Sequence, residues 1–116
     1  MRSEREGVNP LVPPSGNGCV ECLANGGWWL HLRRCAECGH VGCCDSSPNQ
    51  HATRHFHQTL HPIAASFEPG ETWFYDYRRR KMIPGEKLAD PRWHPETQPV
   101  PGPAEMVPPD WQSRLH

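Results

Sequence analysis

The sequence predicts a small α+β fold built around bound metal: a twisted antiparallel sheet packed on one main helix, followed by a disordered Pro-rich tail. Three observations carry this reading. The 116-residue chain is only 35% apolar and holds 14 prolines, so it cannot enclose a large oily core, and small domains of that kind recruit a staple. Cys19-Val20-Glu21-Cys22 and Cys35-Ala36-Glu37-Cys38 are two Cys-x-x-Cys turns, and two intervening residues let the chain curl round one ion. Cys43, His51, His55 and His61 add four more N or S donors, which makes eight, enough for two tetrahedral zinc sites with none left over.

Taken in order, residues 1–17 are polar and rich in Pro and Gly, and read as a flexible lead-in. Residues 18–83 form the domain. Cys19–Cys22 is a metal knuckle, Asn25-Gly26-Gly27 a turn, and Trp28–Leu32 an aromatic and branched strand. Gly39 permits the reversal after the second knuckle. His40–Cys44 is a short strand that runs into a loop.

Asn49 is placed to cap a helix from Gln50 to about Leu60, which Pro62 stops. His51 and His55 share a helical face, and Phe56 and Leu60 are expected to pack inward. Ile63–Phe67 and Trp73–Tyr77 read as a hairpin around Glu68-Pro69-Gly70-Glu71. From Pro84 to Pro109, eight of 26 residues are proline, so residues 84–116 read as disordered or extended.

Composition narrows the function. The formal charge of −1 gives no global pull towards nucleic acid or lipid. No run approaches a membrane span, and Met1–Gly18 does not resemble a secretory leader. The expected compartment is therefore a reducing cytoplasm, which favours metal thiolates over disulfides.

The ligands are expected to interleave. One ion takes Cys19, Cys22, Cys43 and His51; the other takes Cys35, Cys38, His55 and His61. Interleaving ties each knuckle to a different turn of the helix. His57 lies on the opposite helical face and reads as solvated. His31 and His40 are spare, and either could replace a helix histidine. Cys44 reads as a small buried hydrophobe, with an alternative ligand role as the second option. Catalytic zinc keeps a position open for water. Eight ligands close both sites and no His-Glu-x-x-His helix is present, so the chain is not expected to be an enzyme.

The order Cys-x-x-Cys, Trp29-Leu30-His31-Leu32, Cys35-x-x-Cys38-Gly39-His40-Val41-Gly42-Cys43, His51-Ala52-x-x-His55, His61-Pro62 and a terminal aromatic strand resembles the UBP-type zinc finger. The likeness covers roughly Cys19 to Tyr77 and is nearest to short stand-alone bacterial members. It implies a small α+β finger that captures the C-terminus of ubiquitin in a deep slot, with Trp29, Trp73 and Tyr75 at wall positions. A third zinc site of some members is expected to be absent, because Phe74 and Tyr77 stand where its cysteines would be.

At the slot's floor the resemblance implies an Arg, and this chain has Asp45. Two like charges 4 Å apart repel by about 4 kcal/mol at an effective dielectric near 20, nearly a thousandfold in affinity. Ubiquitin capture is disfavoured on that count, and a basic or amide terminus suits Asp45 better, unless Arg33, Arg34 or Arg54 reaches in. The expected function is thus a module for a protein or peptide C-terminus, with Trp29, Asp45, Trp73 and Tyr75 as ligand-binding residues. Two alternatives are a nucleic-acid module using Arg78-Arg79-Arg80-Lys81, and an adaptor acting through Pro99–Pro109.

Overall fold

A computed structural model describes residues 7–116; the first six residues of the lead-in lie outside the described part. Helix α1 (Val20–Asn25) is followed by strands β1 (Leu32–Cys35) and β2 (Val41–Cys43), helix α2 (His51–Thr59), and strands β3 (Ile63–Ser66), β4 (Phe74–Asp76) and β5 (Lys81–Ile83). Among the described residues the strands form one sheet of order β2-β1-β3-β4-β5, and every neighbouring pair is antiparallel. The hairpin expected around Pro69-Gly70 is β3–β4, in the register Ala64↔Tyr75.

Residues directly opposite one another across an antiparallel ladder share a face. The register Cys35↔Ala64, Ala64↔Tyr75, Tyr75↔Met82 therefore puts these four on one side of the sheet, together with Arg33 and Gly42. Helix α2 lies on that side. A Cβ at Gly42 would stand 2.7 Å from the Ala52 nitrogen, so glycine lets the helix backbone rest directly on β2. Gly39 has φ 81° and turns the second knuckle, as its position implies.

The other face carries Ala65, Phe74 and Ile83, and segments from both chain ends pack on it. Val8 of the lead-in and Leu88 beyond β5 pack with Ala36, Ile63, Ala65 and Phe74. Arg34, 1% exposed, donates from Nη2 to the Val12 carbonyl (2.7 Å) and from Nη1 to the Pro91 carbonyl (3.1 Å). The tail is extended, with short 3-10 turns at Ala104–Met106 and Trp111–Arg114, but it is laid against the domain. A sheet has two faces and one helix covers only one of them; the chain ends cover the second.

Local expectations shift in three further places. The strand expected at Trp28–Leu32 begins only at Leu32, because the main chain of Trp29 pairs instead with Gly102 of the tail. Gln50, not Asn49, is the N-cap of α2, with left-handed backbone and no side-chain cap bond; the His51 N–H donates to Cys43 Sγ at 3.2 Å. Leu60 is 65% exposed, since the helix ends at Thr59 and Leu60 turns left-handed. Phe56 is half-buried and stacks on Tyr77, ring centres 4.9 Å apart.

Candidate metal centres and aromatic groove

Two clusters of four donors stand on the ends of α2. Cys19, Cys22, Cys43 and His51 are all buried; Cys35 is buried, Cys38 exposed, and His55 and His61 half-buried. In each cluster the donor atoms lie within 4.8 Å of one another. Local structure explains the first. Cys19 caps α1, accepting from the Cys22 N–H at 3.4 Å, so the knuckle is also a helix start. Cys43 ends β2, and His51 opens α2. One helical turn, about 5.4 Å of rise, then carries His55 away from the first cluster and into the second.

Spacing tests whether zinc fits. Bonds of about 2.3 Å to sulfur and 2.0 Å to nitrogen at tetrahedral angles set donors roughly 3.5–3.8 Å apart. His51 Nδ1 stands 3.2, 3.3 and 3.5 Å from the sulfurs of Cys19, Cys22 and Cys43, and Cys22 and Cys43 sulfurs are 4.0 Å apart. Cys35 Sγ lies 3.6 Å from His61 Nδ1, and Cys38 Sγ 3.3 Å from His55 Nε2. These separations lie within about 0.3 Å of that range, and each cluster can hold one zinc ion.

The thiols of the first cluster hold their protons unevenly. Hydrogen bonds from the Cys19 and Cys22 thiols hold Cys43 well below the ordinary thiol range, while Cys19 and Cys22 stand above it. Burial pushes the Cys35 thiol up to about 12 in the absence of metal. Burial also lowers His55 to about 4, which keeps its imidazole neutral and able to ligate. Outer partners orient the second cluster: Glu37 Oε2 lies 3.4 Å from His61 Nε2, and the His40 ring stacks on His55.

The spare residues resolve differently. His31 reaches Glu68 Oε1 at 3.2 Å, His40 reaches Glu21, and His57 is exposed. Cys44 is 4% exposed and lies 3.4 Å from Ser47 Oγ. Phe74 is core, and Tyr77 stacks on Phe56.

Beside the second cluster an open groove of about 410 Å³ is lined by Arg33, Asp45, Ala64, Trp73, Tyr75, Tyr77 and Met82. Three of the four residues expected at a binding slot, Asp45, Trp73 and Tyr75, come together here. Trp29 does not. It is 3% exposed, packs with Leu32 and Phe67 beside the first cluster, and exchanges two main-chain hydrogen bonds with Gly102, at 2.8 and 3.0 Å. The tail covers it, which local sequence cannot show.

Arg33 lies 4.6 Å over the Trp73 ring and brings a cation into the same groove as Asp45. Arg34, its neighbour, is on the opposite face. Asp45 Oδ1 accepts from Thr53 Oγ1 at 2.5 Å. Burial pushes the Tyr77 phenol up, so the hydroxyl stays a neutral donor. Tyr77, expected only where a third-site cysteine would stand, also lines the groove, as the alternation Trp73, Tyr75, Tyr77 implies.

The fold and the two clusters define a small two-zinc finger with interleaved Cys/His sets. Residues 19–88, more than half the chain, match the family described as "Zn-finger in ubiquitin-hydrolases and other protein", and the chain belongs to that family. The BRCA1-associated proteins of Mus musculus and Homo sapiens are each 33% identical over 63 residues, covering 54% of this chain and 10% of those proteins. The chain thus spans about a tenth of the length of these curated relatives. Protein RPA1320 from Rhodopseudomonas palustris, solved by solution NMR, is 47% identical, with a TM-score of 0.63 over 87% of this chain and 97% of that one.

Proposed function

We propose that this finger is a non-catalytic binding module in which two structural zinc ions frame a groove for a protein or peptide C-terminus. Cys19, Cys22, Cys43 and His51 ligate one ion, and Cys35, Cys38, His55 and His61 the other. Four ligands each leave no open position for a reacting water. Trp73, Tyr75 and Tyr77 supply flat walls for an extended backbone. Arg33 is the donor that meets the terminal carboxylate.

The observation that carries this reading is Arg33 lying on Trp73 in the groove. It sets a cation in the same groove against the repulsion expected from Asp45, whose Oδ1 accepts from the Thr53 hydroxyl. A ubiquitin-like tail is therefore an admissible ligand of this groove.

Calorimetry tests the reading with a Gly-Gly-ended peptide, free-acid and amidated. A charge-assisted hydrogen bond contributes about 1.5–3 kcal/mol, so amidation is expected to weaken binding by roughly 10- to 100-fold. Arg33→Ala should erase the difference while zinc content stays at two. Equal affinity of the two peptides overturns terminus capture.

The alternatives are less well supported. Arg78 to Arg80 form the turn into β5, where Arg79 is drawn back to Asp76 at 3.6 Å, which takes one cation from the run. The segment around Gly102 is engaged with Trp29, which occupies part of the Pro-rich tail. No helix among the described residues is long and apolar enough to cross a membrane.

A further inference from the structure

A second cavity of about 220 Å³ continues the groove past Tyr75 and Tyr77 to His57 and Arg80, sharing Asp45 and both tyrosines with the first. The two cavities meet at those shared residues and each has a guanidinium of its own, Arg33 over Trp73 in the first and Arg80, with His57, in the second. His57 sits in the last turn of α2. Among the described residues the one carboxylate that lines these cavities is Asp45, which is common to both and accepts from the Thr53 hydroxyl. The nearby Asp76 is buried and spent within its own turn, accepting the Arg78 and Arg79 amides and pairing with the Arg79 side chain. A ligand that spans both cavities meets a cation in each and the one carboxylate that they share.

We propose that the partner is an acidic, extended peptide segment, its terminal carboxylate at Arg33 and an upstream Asp or Glu side chain at Arg80 and His57. This rests on the reading of the groove as a peptide site and goes beyond it by assigning the partner's charge. Complementary charge across an interface selects partners and raises association rates. A segment with Lys or Arg at the upstream position meets Arg80 and is rejected. A single-stranded nucleic acid fits the aromatic walls but brings a phosphate at every nucleotide, and one of these must face Asp45. A peptide spaces its acids and passes Asp45 with neutral backbone.

The test uses the full zinc-loaded chain and three dye-labelled peptides of one length, each ending in Gly-Gly with a free carboxylate. They carry Glu, Ser or Lys at the upstream positions, and fluorescence anisotropy is read at low and at physiological salt. Affinity should fall in the order Glu, Ser, Lys, with at least a tenfold span that narrows as salt is added. Arg80→Glu should reverse the order with zinc content unchanged; Arg80 is an exposed turn residue, and His57→Glu provides a second reversal on a different element. Equal affinity for all three overturns the acidic preference and leaves the peptide groove standing. Binding of none overturns the groove reading as well. Tighter binding of an oligouridylate than of the Glu peptide overturns the proposal in favour of nucleic acid.

Discussion

The ring of His40 lies flat on that of His55, centroids 4.1 Å apart and planes 3° from parallel. Its Nε2 is 2.8 Å from the Glu21 carboxylate, so α1, which starts at the first cluster, reaches through His40 to a histidine of the second. Partners of this kind tune metal affinity about 10- to 100-fold. His40→Ala should weaken zinc at the second cluster by that factor and leave the first unchanged. Competition with a chromophoric chelator checks it; an unaltered second constant refutes the coupling.

The two clusters differ in exposure. All four donors of the first are buried, whereas Cys38 of the second is exposed. A chelator should therefore withdraw zinc in two phases. Amide signals around Cys38, His55 and His61 should change before those around Cys19 and Cys22. Removal of the buried ion should then unfold the domain, since structural zinc contributes about 10–16 kcal/mol of apparent binding energy and net stability is typically about 5–15 kcal/mol. Simultaneous loss at both clusters would count against this order.

Gly42 sets the distance between sheet and helix. In Gly42→Ala the new methyl meets the Ala52 nitrogen at 2.7 Å and its Cα at 2.9 Å, which is backbone that cannot step aside. Overpacking of this sort costs about 1–3 kcal/mol and should appear as a lower Tm. Gly16→Ala, with nothing within 4 Å of its Cβ, serves as the near-neutral control.

Leu88 holds the start of the tail in the core, 6% exposed against Val8, Ala65 and Phe74. Leu88→Ala should destabilise by about 2–5 kcal/mol while both zinc ions stay bound. Thermal melts with zinc analysis separate the two effects. A neutral result would mean that burial of Leu88 adds nothing to stability.

Glu68 anchors the tail by charge. Its carboxylate accepts the Leu32 N–H at 3.0 Å and contacts His31 at 3.2 Å; His94 Nε2 lies 3.0 Å away. Burial works to raise the Glu68 carboxyl, yet His31, the Leu32 amide and His94 outweigh it and hold it below its ordinary value. A lowered folded value means stabilisation that is present above the ordinary glutamate range and lost as pH falls through the folded one. Protection from hydrogen exchange at the His94 amide, bonded to the Phe67 carbonyl and read against the intrinsic rate at each pH, should fall on that acid limb, and in Glu68→Gln it should already be low at neutral pH.

How much was legible from sequence follows from the range of each interaction. The two Cys-x-x-Cys turns, the four-residue step from His51 to His55 and the hairpin at Pro69-Gly70 are local arithmetic, and the eight donors fall into the same two fours that the structure brings together. The amphipathic alternation of Trp73, Tyr75 and Tyr77 was equally visible. The places of Trp29, Arg33 and the tail were not.

Residue order by itself determined that this chain gathers sulfur and imidazole into two groups and lays a short helix across a sheet, because those features depend on spacing within a few residues. Only the tertiary structure decided that Gly102 closes over Trp29, that Arg33 shares a groove with Asp45, and that Val8 and Leu88 cover the far face. Each of these depends on which distant segments meet, and that is settled by the need to bury both sides of the sheet. Proline content speaks only to how those segments bend, and carries no record of what they cover.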